Sequence, residues 1–332
     1  MTVSDSTAGN DPTLTEVSMH LVKPNDPVVG RVVANDLCMR GKSASFVRHV
    51  AIDVSGTPLE GGFKSGQSFG VIPPGTDAKG RSFKVRLYSI ASPTCGEDGA
   101  GKVLATSCKR LIDEYQPALK AGDGVNHGGM FHGRCSNHLC DREVGDEVLV
   151  TGPAGKRFVL PQDPDQHDYV FFATGTGIAP FRGMVKDLFD GPGGATTSDV
   201  HLVMGVPYSS DLLYDDYFRE LDKKHKNFHY HVVISREILA EEDRLHRGYV
   251  HHYLDKQVQL HQDMLPRDRT LVYMCGLAGM QTGVFQCMAR LGIGDGFLKV
   301  KEDLQGVDPA EWDASMIKRS VRPTHRCMLE VY

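Results

Sequence analysis

A chain of 332 residues with 40% hydrophobic and 24% charged side chains has the composition of a soluble globular protein and can bury two medium-sized cores. Its net charge of -5 gives no general case for nucleic-acid binding. No stretch approaches the roughly 20 apolar residues of a membrane span, because the most apolar run, YVFFATGTGIAPF, is short and broken by glycine and proline.

The chain opens with Asp5, Asp11 and Glu16 and no lysine or arginine before Lys23. That argues against a secretory signal or a basic transit peptide. Residues 1–19 are expected to form a disordered polar tail, followed by one domain over 20–162 and a second over 163–332. Cys38, Cys95, Cys108, Cys135, Cys140, Cys275, Cys287 and Cys327 include no C-x-x-C pair. Free thiols in a reducing compartment are therefore expected.

From Val28 to about Leu160, short β-branched runs alternate with turn residues: VVGRVVAND, SFVRHVAIDV, SFGVIPPG, SFKVRLYSIAS and DEVLVTGPAG. Such spacing predicts an antiparallel barrel or sandwich. Before the last of them, HGGMFHGRCSNHLC gathers His127, His132, Cys135, His138 and Cys140. Zinc usually takes paired ligands from two separate elements. Here all five come from one loop, so no metal is expected.

QDPDQHD, residues 162–168, is a polar connector, after which strand and helix patterns alternate. YVFFATG precedes APFRGMVKDLFD, HLVMGVP precedes DLLYDDYFRELDKKH, and LVYMCG precedes MQTGVFQCMARLG, with FHYHVVISRE as a further strand. Near-continuous apolar strands between helices predict a doubly wound α/β parallel sheet. GPGGATTSD, residues 191–199, reads as a flexible surface connection.

In ATGTGIAPFRGMV a strand is expected to end at Ala173 and a helix to begin near Ala179. Gly175 and Gly177 would let the backbone approach a ligand, Pro180 suits the first helical turn, and free N–H groups there favour an anion. Pro180 stands where the dinucleotide fingerprint has its third glycine, so a plain tight turn also fits. Ser235 and Arg236 follow the strand VVI, and Arg247 and Tyr249 lie in HRGYVHHY. A hydroxyl and two guanidinium groups suit a 2′-phosphate. Glu237 leaves an NAD-type ribose contact open, and Arg247 beside Glu241, Glu242 and Asp243 also fits a solvated charge. Cys275 falls at a C-terminal strand edge, suited either to a reacting ring or to structural burial.

RLYSIAS, GRCSNHLCD, TGTGIAPFR, GVPYSSDLLY, ISRE, YMCGLAGM and the terminal EVY occur here in one order. Over Val22 to Tyr332 the chain closely resembles the plant-type ferredoxin–NADP(+) reductases. The resemblance implies an FAD-binding antiparallel β-barrel followed by an NADP-binding α/β domain. It implies that Arg86 pairs with the FAD pyrophosphate, that Tyr88 stacks on the isoalloxazine next to Leu87, and that Ser89 approaches the N5 edge. It makes GRCSNHLCD a second flavin segment: Gly133 and Ser136 cradle the diphosphate, Cys135 lies beside the flavin, and Asn137 and Leu139 help form the turn. Lys109, Thr174, Gly175, Thr176, Gly177, Pro180, Val206, Pro207, Ser235, Arg236, Arg247, Tyr249, Cys275 and Gly276 complete the implied cofactor-binding set. Tyr332 would be a lid over the flavin face that NADP must displace, and Glu330 would move protons near Ser89 and Cys275. Ser89, Cys275, Glu330 and Tyr332 form the implied catalytic group.

Three departures stand out. KRLIDEY has Asp113 where the resemblance implies a tyrosine against the FAD adenine, so either Tyr115 takes over or the adenine half is loosely held. RGYVH replaces K-x-Y-x-Q, with His251 in place of the amide. Residues 306–326 form an insertion with added basic residues.

The implied activity is electron exchange between ferredoxin, or flavodoxin, and NADP(H), with hydride passing between nicotinamide C4 and FAD N5. Lys23, Arg31, Lys84, Lys109 and Arg110 are candidates for docking an acidic protein partner. Alternatives are an NADPH-dependent reductase feeding an oxygenase or other external carrier, and a non-catalytic NADP-binding redox sensor. The start of the chain suits a bacterial cytoplasmic protein, or a trimmed mature form in an organelle stroma.

Overall fold

The computed structural model describes residues 11–41, 43, 45–77, 79–114, 130–237 and 245–332. Tyr115, His127, Glu241, Glu242 and Asp243 lie outside them. The first half supplies β1 (Val28–Leu37), β2 (Val47–Asp53), β3 (Ser68–Ile72), β4 (Arg86–Ser89), β5 (Val103–Lys109), the short strands β6 (Ile112–Glu114) and β7 (Met130–His132), helix α1 (Arg134–Cys140) and β8 (Glu147–Ala154). Six of these strands form one antiparallel sheet in the order β4-β3-β8-β1-β2-β5. Its edges curl together: the Thr106 hydroxyl donates to the Ser89 carbonyl at 2.8 Å, and Ala91 N–H to Ala105 at 2.7 Å. Inward-facing Val32, Val50, Ile52, Phe69, Val71 and Val150 fill the interior, which gives this barrel its own core.

The second half supplies β9 (Asp168–Thr174), α2 (Ile178–Phe189), β10 (Val200–Val206), α3 (Asp215–Lys224), β11 (Phe228–Ile234), β12 (Leu245–Arg247), α4 (Val250–Lys256), β13 (Thr270–Gly276), α5 (Ala278–Arg290), β14 (Leu298–Val300), α6 (Ala314–Ser320), β15 (Val321–Pro323) and β16 (Cys327–Val331). Its main sheet is parallel throughout, in the order β12-β11-β10-β9-β13-β16. β9, β10 and β13 are buried along nearly their whole length, because helices cover both faces and leave two apolar layers. The chain leaves β9 toward β10 on one side and returns to β13 on the other. That reversal opens a crevice at the C-terminal strand ends, where such sheets hold ligands. Among the described residues no helix is long and apolar enough to cross a membrane.

Four local expectations are corrected. Residues 11–19 are not a disordered tail: Thr15 N–H bonds the Leu160 carbonyl at 3.1 Å, and the Ser18 carbonyl accepts from buried Gln67 at 3.0 Å. The 191–199 connection is pinned rather than flexible. Thr196 bonds Asp165 and Leu188, and Asn227 donates to the carbonyls of Thr196 and Ser198. GRCSNHLC is a helix, not a turn. Cys135, Leu139 and Cys140 share its buried face, and Asn137 donates back to the carbonyls of Leu111 and Gly133 at 2.9 Å. The 306–326 insertion contributes Trp312, Ile317 and Val321 to the core beside α5, so packing explains it better than its charges do.

Polar contacts join the two domains. Arg182 on α2 pairs with Glu97, donates to the Ala91 carbonyl at 2.9 Å and lies over the Tyr214 ring at 5.0 Å. The Tyr214 hydroxyl is 2.7 Å from Ser107 Oγ and 2.9 Å from His49 Nδ1. Asp187 on α2 accepts from the Thr94 hydroxyl at 2.7 Å.

Candidate active site

β4 is an edge strand whose outer face is bare. Arg86 and Leu87 are exposed, Leu87 by 59%, and the Tyr88 ring lies 6.4 Å from Phe69. An exposed leucine beside a half-buried tyrosine on one strand makes a surface for a flat apolar ligand. α1 begins nearby at Gly133 with no side chain capping its first N–H groups. These free donors and the Arg86 guanidinium, which bonds only the Val85 carbonyl at 3.3 Å among the described residues, suit a diphosphate. The Ser136 hydroxyl donates to Gly133 O at 3.1 Å and accepts from Leu111 N–H at 3.2 Å, so it shapes the turn into α1. Cys135 is buried with its thiol toward the Val71 carbonyl. The donor set therefore fits a flavin dinucleotide.

At the seam between the domains, Ser68 and Ser89 stand opposite each other on β3 and β4, and Cys275 and Glu330 opposite each other on β13 and β16. The Ser68 hydroxyl donates to Glu330 Oε1 at 2.6 Å. Glu330 Oε2 is buried with no hydrogen-bond partner among the described residues. Burial raises the Glu330 carboxyl, and the hydroxyls of Ser68 and Ser89 pull it back down. Burial, then the Glu330 charge, raises the Cys275 thiol well above its ordinary value, while Ser89 lowers it. Cys275 is thus a neutral thiol beside an acid with one idle oxygen. Sequence reasoning missed Ser68, which carries no signal beyond a strand residue before Phe69.

Next to this seam lies a cleft lined by Thr174, Gly175, Thr176, Val206, Pro207, Ser235, Arg236, Tyr249 and Tyr332, with Lys109 from the barrel. Gly175 has φ +54° and open space where a Cβ would stand, which leaves the turn free to receive a ligand. Gly177 is needed for a different reason: a Cβ there would strike the Cys275 carbonyl, so the close approach is backbone on backbone. Gly276, with φ +132°, is required at the same crossing, and Leu277 N–H donates to Thr174 Oγ1 at 2.9 Å. Pro180 is buried in the first turn of α2, away from the cleft.

Arg236 stays in the cleft because its N–H bonds the Pro207 carbonyl at 2.9 Å. The Glu237 carboxylate is turned onto Ser209, accepting from its N–H at 2.6 Å and its hydroxyl at 3.0 Å. Arg247 is exposed at the end of edge strand β12, beside Ile234 in register but outside the cleft lining. The Tyr332 hydroxyl meets Thr176 Oγ1 at 2.8 Å, and its backbone N–H bonds Gly276 O at 3.0 Å. Tyr332 is therefore held at both ends although it is 62% exposed.

Of the docking candidates, Arg31 pairs with Glu147, Arg110 pairs with Asp141 and Asn137, and Lys109 faces the cleft. The adenine question also changes. Asp113 faces Phe131 directly across the β6–β7 pair, and Phe131 is 44% exposed. His132 is exposed. Among the described residues, no group of three or more potential ligands could hold a metal ion.

A barrel with a flavin-sized face, joined to a nucleotide-type sheet with the reactive groups on their seam, defines the class of two-domain nicotinamide-linked flavin oxidoreductases. The family model "Oxidoreductase NAD-binding domain" matches residues 171–286. The chain is 33% identical over 324 residues to the cyanelle ferredoxin–NADP reductase of Cyanophora paradoxa, covering 96% of this chain and 80% of the relative. It is 35% identical over 288 residues to the chloroplastic leaf isozyme 1 of Arabidopsis thaliana, covering 85% and 76%. It is 34% identical over 286 residues to the ferredoxin–NADP reductase of Spirulina sp., covering 83% and 90%. The solved structure of ferredoxin–NADP+ reductase from Plasmodium falciparum with 2′P-AMP shares the fold, with TM-score 0.66 and 21% identity over 94% of this chain and 99% of that one. The chain belongs to the plant-type ferredoxin–NADP(+) reductase family.

Proposed function

We propose that the seam of Ser68, Ser89, Cys275 and Glu330, covered by Tyr332, is where this chain carries out the reaction of its family. Membership makes the chain an FAD-dependent oxidoreductase that exchanges electrons between ferredoxin and NADP(H). When bound, FAD supplies the exchange between hydride, at N5, and single electrons. The residues of the chain supply geometry and electrostatics. Arg86 and the uncapped start of α1 hold the diphosphate, while Leu87 and Tyr88 cover one ring face. Phe131, opposite Asp113, takes the place of the absent tyrosine against the adenine. Lys109, Ser235, Arg236 and Tyr249 hold NADP(H) in the cleft, with Arg236 directed to the 2′-phosphate and Arg247 outside it as a long-range charge.

Tyr332 must release Thr176 before the nicotinamide ring can enter. Cys275, neutral and buried, packs beside the ring, and Glu330 holds or passes a proton through Ser68 and Ser89. The observation that carries this reading is the convergence of four side chains from two domains on one point beside the cleft. Domain limits of 20–162 and 163–332 are supported by the barrel's own core, although Val47 and Phe158 pack across the boundary into the core of the sheet domain. Lys23 and Lys84 are the remaining docking candidates for an acidic ferredoxin or flavodoxin. A cytoplasmic or stromal setting fits the free thiols.

The test is electron transfer from NADPH and from NADH to a [2Fe-2S] ferredoxin. Rapid reduction with strong NADPH preference is expected. Flavin bleaching without ferredoxin reduction would instead favour an oxygenase partner, and no bleaching at all a non-catalytic sensor.

A further inference from the structure

Cys108, next to last on β5, and Cys140, last on α1, bring their sulfurs to 3.9 Å, and both side chains are buried. The surrounding backbone is equally close. Cys140 Sγ is 3.6 Å from the Cys108 carbonyl oxygen, and Cys108 Sγ is 3.6 Å from that of Ser136. Neither thiol takes part in the chemistry described above. The third thiol of this region, Cys135, turns to the Val71 carbonyl instead.

The two sulfurs are not equivalent. The hydrogen bond it shares with Cys108, and then the guanidinium groups of Arg110 and Arg48, lower the Cys140 thiol against its burial. The same bond, with burial, raises Cys108 well above its ordinary value. Cys140 is the readier nucleophile and Cys108 the waiting partner.

We propose that Cys108 and Cys140 form a dithiol that a hydroperoxide closes to a disulfide, fastening α1 to β5 behind the flavin site. In the first step Cys140 sulfur attacks one peroxide oxygen; an S–O bond forms, the O–O bond breaks, and one water leaves. In the second, Cys108 sulfur attacks the resulting sulfenic acid; an S–S bond forms and a second water leaves. The two thiols lose two electrons and two protons, and one hydrogen peroxide becomes two waters. The sulfurs must close to about 2.05 Å, which side-chain rotation and a small shift of α1 can supply.

The consequence for the flavin rests on the reading that α1 holds its diphosphate. α1 carries Gly133 and Ser136 at its start, and β5 ends at Lys109 in the nucleotide cleft. The bond therefore ties the flavin wall to the nucleotide wall, and FAD should leave more slowly from the oxidised protein.

The experiment treats the full-length holoenzyme with equimolar hydrogen peroxide, then follows intact mass, disulfide-mapped peptides and FAD release by fluorescence. The proposal expects a loss of about 2 Da, a peptide pair joining Cys108 to Cys140, and slower FAD release. Cys108→Ser and Cys140→Ser should each abolish the loss of mass, while Cys135→Ser should keep it. Should a variant fail to fold, the wild-type peptide map decides alone. Gains of about 16 or 32 Da without that loss, a bridge to Cys135, or unmodified thiols would overturn the proposal. A Cys108–Cys140 bridge with unchanged FAD release would support the dithiol and overturn the placement of the diphosphate against α1.

Discussion

The hydroxyl of Ser68 donates to the carboxylate of Glu330 at 2.6 Å, across 262 residues of chain and across the boundary between the domains. A strand of the barrel thus fixes the acid that the C-terminal strand delivers. Because this bond favours the charged carboxylate, Ser68→Ala should raise the Glu330 carboxyl further above its ordinary value. The acid limb of the pH profile of hydride transfer should then move to higher pH, as stopped-flow flavin reduction would read. Glu330→Gln should remove that limb and slow transfer on the order of 100-fold. An unmoved limb in both variants would take Glu330 out of the proton path.

Arg236 lines the nucleotide cleft, whereas Arg247 stands outside it. Charge-assisted bonds to a phosphate contribute about 1.5–3 kcal/mol. Arg236→Ala should therefore raise KM for NADPH by about 10- to 100-fold and leave NADH almost untouched. Arg247→Ala should have the smaller effect, and one that salt diminishes. Equal losses with NADPH and NADH would show that neither residue reads the 2′-phosphate.

Tyr332→Phe keeps the ring but loses the 2.8 Å contact with Thr176. A single neutral hydrogen bond contributes about 0.5–1.5 kcal/mol. If Tyr332 must release Thr176 before NADP(H) enters, the variant should bind NADP+ about 2- to 10-fold more tightly in difference spectra. Unchanged or weaker binding would mean that the hydroxyl does not oppose entry.

Phe131→Ala should weaken FAD binding by about 2- to 10-fold, the range expected for one aromatic contact. Asp113→Tyr should tighten it. Both affinities can be measured by titrating apoprotein with FAD and following flavin fluorescence. No change for Phe131→Ala would leave the adenine to residues such as Tyr115.

Burial, and then the positive charge of Arg182, lowers His49 from 6.5 to about 4. Below pH 6.5 the unfolded chain takes up a proton that the folded chain refuses until about pH 4. Stability from this group is therefore complete above pH 6.5 and falls with acid, by about 2 kcal/mol at pH 5. Urea unfolding at pH 7 and pH 5 should show His49→Gln losing less stability over that interval than the wild type.

The parallel sheet was legible because strands buried on both faces read as apolar runs; YVFFAT, HLVMGV and LVYMC match β9, β10 and β13 closely. β5 escaped notice because buried Thr106 and Ser107 break its apolar pattern. GRCSNHLC looked like a loop because its glycine and polar residues suggest a turn, while the apolar spacing that folds it into α1 is short. The site was legible, as a set of residues and as an assembly, only through the family resemblance, since β16 pairs with β13 through contacts that no local pattern records. Gly177 owes its identity also to a backbone crossing with Cys275 that no local pattern records, and Ser68 had no signal at all.

Arg182 also ties the two domains together. Its guanidinium sits in the interface with Glu97, the Ala91 carbonyl and the Tyr214 ring as neighbours. Pulling the halves apart would break these contacts and expose the apolar surface where the barrel residues Val47 and Phe158 pack into the core of the sheet domain. The protein should consequently melt as a single cooperative block, and neither half should survive limited proteolysis or separate expression as a well-behaved fragment. Substrate entry should then be governed by side chains at the rim of the cleft, Tyr332 foremost.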